Sequence, residues 1–70
     1  MVEIMLNEAE RLIFARKRKK LSQGELAERI GSYQTRISRL ENAQSKPTEV
    51  EKRLIQQVLN TPIWVIAAGE

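Results

Sequence analysis

The side chains best suited to recognition chemistry lie in one short helical pattern at positions 33–43. Ile37 and Leu40 recur at helical spacing, and with the Tyr33 ring they are predicted to face inward. The outward face and the helix tip carry polar side chains and no acid: Gln34, Thr35, Ser38 and Arg39. Amide, hydroxyl and guanidinium groups of this kind hydrogen-bond base edges in the major groove of DNA. We therefore predict that these residues contact bases. The alternative is a plain solvent-facing stripe, which would more often mix Glu with Lys.

A second helical pattern precedes this one across a break of about two residues. Ser22 followed by Glu25 forms a capping box, so a helix is predicted to begin at Gln23. Gly31 is expected to end that helix, because glycine adopts the left-handed conformation of a helix terminus without steric cost. Ser32 is expected to cap the next helix. Two helices joined in this way form a helix-turn-helix.

A first helix is predicted to begin after Asn7 and to end in the basic run 16–20. Acids in its first turn and bases in its last both complement the helix dipole. Two interpretations of the basic run stay open, a DNA-facing surface and a solvated helix end. Residues 1–6 alternate weakly, which is compatible with an N-terminal arm, an added helical turn or a short strand.

Two more helices are predicted toward the C-terminus. Thr48 and Glu51 form a capping box for a helix that reaches about Leu59. Its apolar stripe is assigned to the core: Val50, Leu54, Ile55, Val58 and Leu59. Thr61 and Pro62 suit the N-cap and first position of a short last helix. The sequence thus predicts a single all-α domain over residues 1–70, a compact bundle of five short helices.

Composition restricts the function classes. The 70 residues are 41% hydrophobic with a net charge of +3, which indicates one small globular domain and favours an anionic partner. Without Cys or His, neither a disulfide framework nor the usual zinc ligands are available, and a cytoplasmic location is predicted. No apolar run has the length of a membrane span. Glu and Lys are the only candidate bases and no Gly-rich phosphate loop occurs, so neither catalysis nor a cofactor or metal is expected.

The strings L-S-Q-x-E-L-A-x-x-I-G and T-x-I-S-R-L-E-N are similar to those of the lambda-type repressor and Cro family of bacterial and phage regulators. The resemblance covers roughly residues 12–70 and implies a lambda-repressor-like DNA-binding domain. The chain departs from the family at Lys20 and Ala43, where a helix-ending Gly is common. Tyr33 and Arg36 are bulkier than the small hydroxyl residues usual at their positions.

The resemblance also implies phosphate contacts. Gln23 matches a DNA-contacting Gln, and the free N–H groups of a helix N-terminus suit a phosphate oxygen. In the family the loop after the third helix lies on a DNA backbone strand, which makes Asn42 and Lys46 candidates here. Arg36, on the flank of the third helix, is a fourth candidate.

One structural ion pair is implied by the same resemblance. Arg16 and Glu41 match a family pair that is partly buried and ties the first helix to the third. Such a pairing makes Arg16 structural and weakens the DNA interpretation of the basic run.

The C-terminal stretch is similar to the final helix of the family, in which a Trp, here Trp64, anchors the core. Residues 63–67 are all apolar, more than a short helix buries, so a dimer interface is predicted at Ile63, Val65 and Ile66. A two-fold dimer would place the two recognition helices about 34–36 Å apart, one turn of DNA. We expect a weak homodimer that operator DNA consolidates.

These observations predict a sequence-specific regulator that binds double-stranded DNA, most simply a phage or bacterial repressor acting on a palindromic operator as a dimer. Control would come from concentration, operator arrangement or a regulatory partner protein. The alternative is a protein-interaction module or antitoxin-like protein that uses the same fold and the apolar residues 63–67. Strong salt dependence of binding to duplex DNA favours the first interpretation.

Overall fold

The computed structural model describes residues 7–64, and this part of the chain is helical with no strand. Its helices follow one another in this order: α1 (Glu8–Arg18), α2 (Gln23–Arg29), α3 (Gln34–Glu41) and α4 (Glu49–Leu59). The predicted all-α class is confirmed. The predicted count of five helices is wrong for the described residues, which form four.

The missing helix was expected to begin after Thr61. Asn60 ends α4 in the left-handed conformation, with φ 50°. The Thr61 hydroxyl then donates backward to the Leu59 carbonyl at 3.0 Å instead of accepting from a following helical turn. Residues 61–64 are consequently not helical, and the rest of the predicted helix lies outside the described residues.

Reciprocal capping boxes start three of the helices. In each, the N-cap side chain accepts from the N–H of the third helical residue, whose carboxylate accepts from the N-cap N–H: Asn7 with Glu10, Ser22 with Glu25, and Thr48 with Glu51. α3 differs, because its N-cap is Tyr33 and no side chain caps it. The prediction that Ser32 caps this helix is wrong, since the Ser32 N–H belongs to the end of α2 and bonds the Ala27 carbonyl at 2.8 Å.

The ends of α1, α2 and α3 share one backbone motif with a left-handed residue just beyond the helix. That residue is Lys20 (φ 58°), Gly31 (φ 70°) and Ala43 (φ 60°), respectively. The next N–H bonds back into the helix: Leu21 to Arg16, Ser32 to Ala27 and Gln44 to Arg39. The predicted role of Gly31 is confirmed. At the other two positions the geometry that favours glycine is kept although a Cβ is present.

Lys20 and Ala43 should therefore each strain the domain. Replacing either with glycine is expected to raise the free energy of unfolding by about 1 kcal/mol, because glycine removes the clash of the Cβ with the neighbouring backbone. Urea denaturation measures this effect. Lys20→Ala is the matched control, since it shortens the side chain but keeps the Cβ, and its stability should stay close to that of the parent protein. A Lys20→Gly variant less stable than the alanine variant would contradict the argument.

The core combines apolar side chains from every helix and from the segment after α4: Leu12, Ala15, Leu26, Ala27, Ile37, Leu40, Ile55, Leu59 and Ile63. α2 and α3 pack against each other most closely, while α1 packs on α3 and α4 on α2. Ala27 is buried and carries only a methyl group, which allows this close approach. The core thus fixes α3 from both sides.

Two predicted core assignments are wrong. Val50 is 62% exposed, because it lies about 180° around α4 from buried Leu59. Tyr33 is 76% exposed, because it is extended backbone ahead of α3 and does not share the helix face of Ile37.

Ile63 corrects the predicted dimer interface. Its side chain is fully buried in the core. It is held there from both sides, since the Ile63 carbonyl accepts from Arg11 Nη1 at 3.3 Å and Trp64 Nε1 donates to the Lys52 carbonyl at 2.9 Å. Trp64 itself packs against the core, as the resemblance implied. Val65 and Ile66 lie outside the described residues.

Candidate nucleic-acid interface

The polar face of α3 lies on the surface of the domain. Gln34, Thr35 and Arg39 are exposed, and Ser38 is half-buried. On the opposite side, Ile37 and Leu40 are buried in the core. The helix therefore offers the four predicted base-contacting side chains on one side while its other side is anchored.

The predicted ion pair between α1 and α3 is present. Arg16 Nε donates to Glu41 Oε2 at 2.5 Å and Arg16 Nη2 to Glu41 Oε1 at 3.0 Å, which is a bidentate pairing. Both residues are more than nine-tenths buried. Arg16 Nη1 also donates to the Leu21 carbonyl at 2.8 Å, so the same guanidinium holds the turn between α1 and α2.

A polar chain continues from Glu41 to the recognition surface. Gln23 Nε2 donates to Glu41 Oε1 at 2.9 Å, and Gln34 Nε2 lies 3.5 Å from Gln23 Oε1. A carboxylate only accepts hydrogen bonds, so it fixes which end of the Gln23 amide faces it. The carbonyl of Gln23 must then face Gln34, which leaves the Gln34 carbonyl and one of its N–H groups free.

This chain adds a role for Gln23. It was predicted to contact a phosphate, and one N–H of its side-chain amide is still available for that, so the contact stays a prediction. Its bond to Glu41 was not foreseen, because the sequence places the two residues 18 positions apart and only the fold brings them together.

The loop after α3 carries the other two predicted phosphate contacts. Asn42 and Lys46 are both exposed. Asn42 Nδ2 donates to Ser38 Oγ at 3.3 Å, while the Lys46 backbone carbonyl accepts from Arg36 Nη2 at 3.1 Å. The Asn42 side chain thus lies beside the exposed face of α3, and the Lys46 backbone lies beside Arg36.

Arg36 has partners inside the protein, a structural role that the sequence did not predict, and its phosphate contact stays a prediction. Its Nε donates to Glu51 Oε2 at 2.8 Å and its Nη2 to Glu51 Oε1 at 2.7 Å. An arginine in the first turn of a helix opposes the dipole, so the position is explained by this partner on α4. That unfavourable placement was a usable signal. It was missed because Glu51 was already accounted for by its capping box.

The Glu51 carboxylate accepts hydrogen bonds from both Arg36 and the Thr48 N–H. The Arg36 guanidinium, with the Thr48 N–H and hydroxyl, lowers the pKa of the Glu51 carboxyl from 4.5 to about 2. Glu41 pairs with Arg16 of α1, and Glu51 pairs with Arg36 of α3. The exposed face of α3 consequently keeps no unpaired acid of its own.

The lowered pKa of Glu51 predicts that the folded protein loses stability in acid. Because its pKa is lower in the folded state, the stabilisation is complete above pH 4.5 and is lost as the pH falls toward about 2. Between about pH 5 and pH 2 the parent protein should lose on the order of 1–2 kcal/mol more stability than Glu51→Gln, allowing for solvent screening. Thermal unfolding across this range measures the difference. Glu49→Gln, at an exposed neighbouring position, should follow the parent protein; equal acid sensitivity of both variants would count against the pairing.

The exposed Tyr33 predicts a stabilising substitution. Tyr33→Ser supplies the side-chain oxygen that the N-terminus of α3 lacks and should raise the free energy of unfolding by about 1 kcal/mol. Chemical denaturation measures the change, with Tyr33→Ala as the control that removes the ring without adding a cap. If serine and alanine were equally stable, the cap would not form.

A helix held by a preceding helix across a tight turn, with amide, hydroxyl and guanidinium groups on its free face, defines the helix-turn-helix class of DNA-binding proteins. Residues 12–63, more than half of the chain, match the helix-turn-helix family model. The chain belongs to this lambda repressor/Cro-like family, which confirms the resemblance, and it is a DNA-binding transcription regulator. No match was found among curated proteins or among solved structures.

Between residues 7 and 64 no helix is long and apolar enough to cross a membrane. In the same part of the chain no group of His, Cys, Asp or Glu could hold a metal ion.

Proposed function

We propose that the chain is a sequence-specific repressor of phage or bacterial type that binds a palindromic operator as a dimer and covers promoter elements. The observation that carries this proposal is the exposed, acid-free face of α3. On this face the side-chain amide of Gln34 is oriented by Gln23, which is itself held by Glu41. A face that only kept the domain soluble would not need an oriented amide. In this proposal the protein acts in the cytoplasm, at the nucleoid.

The proposed base contacts follow from the hydrogen-bonding groups of Gln34 and Arg39 that are left without a partner within the described part of the domain. With one N–H directed at Gln23, the Gln34 amide keeps a carbonyl and an N–H, which match the N6 and N7 edge of adenine. The Arg39 guanidinium matches the O6 and N7 edge of guanine. Thr35 and Ser38 contribute hydroxyl contacts, Ser38 less because it is half-buried.

Phosphate contacts position the domain. Gln23, Asn42 and Lys46 surround the exposed face and carry no base information. Of these three only Lys46 is cationic, and one cationic contact steepens the dependence of log K on log salt by about 0.9. Arg36 is assigned a different role below.

The dimer is part of the proposal. Burial of Ile63 leaves Val65 and Ile66 as the proposed contacts, which suits a weak homodimer that DNA consolidates. Half-sites about ten base pairs apart would match one turn of DNA between the recognition helices. Regulation would come from concentration, operator arrangement or a partner protein.

Selection of duplexes from a random-sequence library tests the function. The parent protein should enrich an imperfect inverted repeat, and binding to the enriched duplex should weaken steeply with salt. Arg39→Ala is the control for the α3 face and should enrich a more degenerate sequence. Equal affinity of the parent protein for enriched and scrambled duplexes would overturn sequence-specific binding. Sedimentation of one subunit per operator at saturation would overturn the dimer alone.

A second candidate rests on two exposed apolar side chains. Phe14 is 55% and Val50 62% exposed, and a partner protein could cover them. Indifference to duplex DNA, combined with stoichiometric binding of a protein, would favour an interaction module or antitoxin-like role instead.

A further inference from the structure

Arg36 joins three parts of the domain through one side chain. Its guanidinium bonds both carboxylate oxygens of Glu51 on α4 and the backbone carbonyl of Lys46 in the loop between the two helices. The residue itself lies in the first turn of α3, directly after Gln34 and Thr35. Sequence position alone could not reveal these contacts, because Arg36 is 10 residues from Lys46 and 15 from Glu51.

We propose that Arg36 is a positioning residue for DNA binding: by holding the Lys46 carbonyl and Glu51, it sets the distance between the base-reading face of α3 and the phosphate contact of Lys46. This inference rests on the proposed function. It gives Arg36 a role in affinity without a DNA contact of its own.

The loop is short and is held at both ends. At its start the Gln44 N–H bonds the Arg39 carbonyl at 2.8 Å. At its end the Thr48 N–H bonds Glu51 Oε1 at 2.9 Å. Between these anchors, the Arg36 bond is made to the backbone of the lysine whose side chain is exposed for the phosphate. Loss of the bond therefore frees the backbone from which the Lys46 ammonium reaches.

The carboxylate partner explains why the guanidinium stays in place. The Arg36 side chain is 27% exposed and the Glu51 side chain 19%, so the pair is shielded from most of the solvent. A bidentate pair holds the planar guanidinium in one orientation, which a lysine at the same position could not reproduce. That orientation aims Nη2 at both Glu51 and the Lys46 carbonyl.

Glu51→Gln distinguishes the positioning role from a direct phosphate contact by Arg36, because the two roles predict opposite changes in DNA affinity. Glu51→Gln removes a negative charge and breaks the bidentate pairing that holds the guanidinium, so a direct contact would strengthen DNA binding. A positioning role predicts weaker binding, because the loop loses its anchor. Glutamine keeps an acceptor oxygen for the Thr48 N–H, so the start of α4 is preserved.

The experiment measures affinity and its salt dependence on the duplex enriched by the parent protein, and on a scrambled duplex. Glu49→Gln is the matched control: it makes the same charge change two residues away, where the carboxylate side chain is 87% exposed and pairs with Lys52 at 3.5 Å. This control should bind as tightly as the parent protein or more tightly. Glu51→Gln should bind about five- to tenfold more weakly at moderate salt, and its slope of log K against log salt should be shallower by about 0.9.

Two further variants test the route through Lys46. Lys46→Ala should decrease the slope of log K against log salt by the same amount. Adding Lys46→Ala to Glu51→Gln should cause no further loss of DNA affinity, because the phosphate contact is already absent. Arg36→Lys keeps the charge but not the bidentate geometry, and should behave like Glu51→Gln. It also provides the test if Glu51→Gln does not fold. All affinities are measured below the unfolding temperature of each variant.

The outcomes separate the two proposals. Tighter binding by Glu51→Gln than by Glu49→Gln would make Arg36 a direct phosphate contact and overturn the positioning role. Additive losses from Glu51→Gln and Lys46→Ala, or parent-like binding by Arg36→Lys, would overturn it as well. In each of these cases the parent protein still binds the enriched duplex and the proposed function stands. If the parent protein enriches no duplex, both proposals fail.

Discussion

Arg16→Ala and Glu41→Ala are each expected to lower the free energy of unfolding by about 3–5 kcal/mol. Both residues are more than nine-tenths buried, and removing one leaves the other as an uncompensated charge inside the domain. The same substitutions also release the Leu21 carbonyl or the Gln23 amide. For a domain of 70 residues this loss approaches the whole stability.

Urea denaturation of both single variants and of the double variant measures this effect. The double variant should lose less than the sum of the two single losses, because it contains no unpaired buried charge. Lys17→Ala, an exposed position on the same helix, is the control and should change little. Strict additivity of the two losses would mean that the pair does not hold α1 to α3 in solution.

Stability and recognition can be separated at this pair. Arg16→Met combined with Glu41→Leu replaces the ion pair with apolar side chains and is expected to fold. Gln23 then has no carboxylate to orient it, so discrimination at the base read by Gln34 should weaken although the domain is stable. Unchanged discrimination would show that Gln34 is oriented by DNA alone.

Arg39→Ala is expected to have the largest effect on specificity. Loss of a guanidinium paired with a guanine edge should reduce discrimination by about 1–3 kcal/mol and relax the preference at one base pair. The measurement compares affinities for the enriched duplex and for duplexes changed at each position. Lys46→Ala is the control, because losing a phosphate contact should weaken binding to all sequences alike. If Arg39→Ala behaved in the same way, Arg39 would contact the backbone.

Local signals in the sequence were sufficient for most of the helical framework. Ser22 with Glu25, and Thr48 with Glu51, marked the starts of two helices because a capping box involves residues only three positions apart. Gly31 marked a helix end through its own backbone, which adopts the left-handed conformation without steric cost. Such features are determined by neighbouring residues and need no knowledge of the tertiary fold.

Contacts between distant residues were predicted less well. The pair Arg16 and Glu41 followed from a family resemblance and not from spacing. The pairing of Arg36 with Glu51 was missed, since it depends on where the fold places the start of α4, and Glu51 already had a local explanation. Ile63 was misassigned for a related reason: an apolar run indicates burial but does not say whether the core or a second subunit covers it.

The left-handed residues Lys20 and Ala43 bear on how this domain could acquire new DNA targets. Substitutions on α3 that change the base preference will often weaken the domain, because that helix lacks a side-chain cap and depends on its neighbours. Glycine at the two left-handed positions would offset about 2 kcal/mol of such losses without altering any proposed DNA contact. A lineage or a laboratory selection that first acquires these glycines should therefore tolerate a wider range of recognition helices than one that begins from the present sequence.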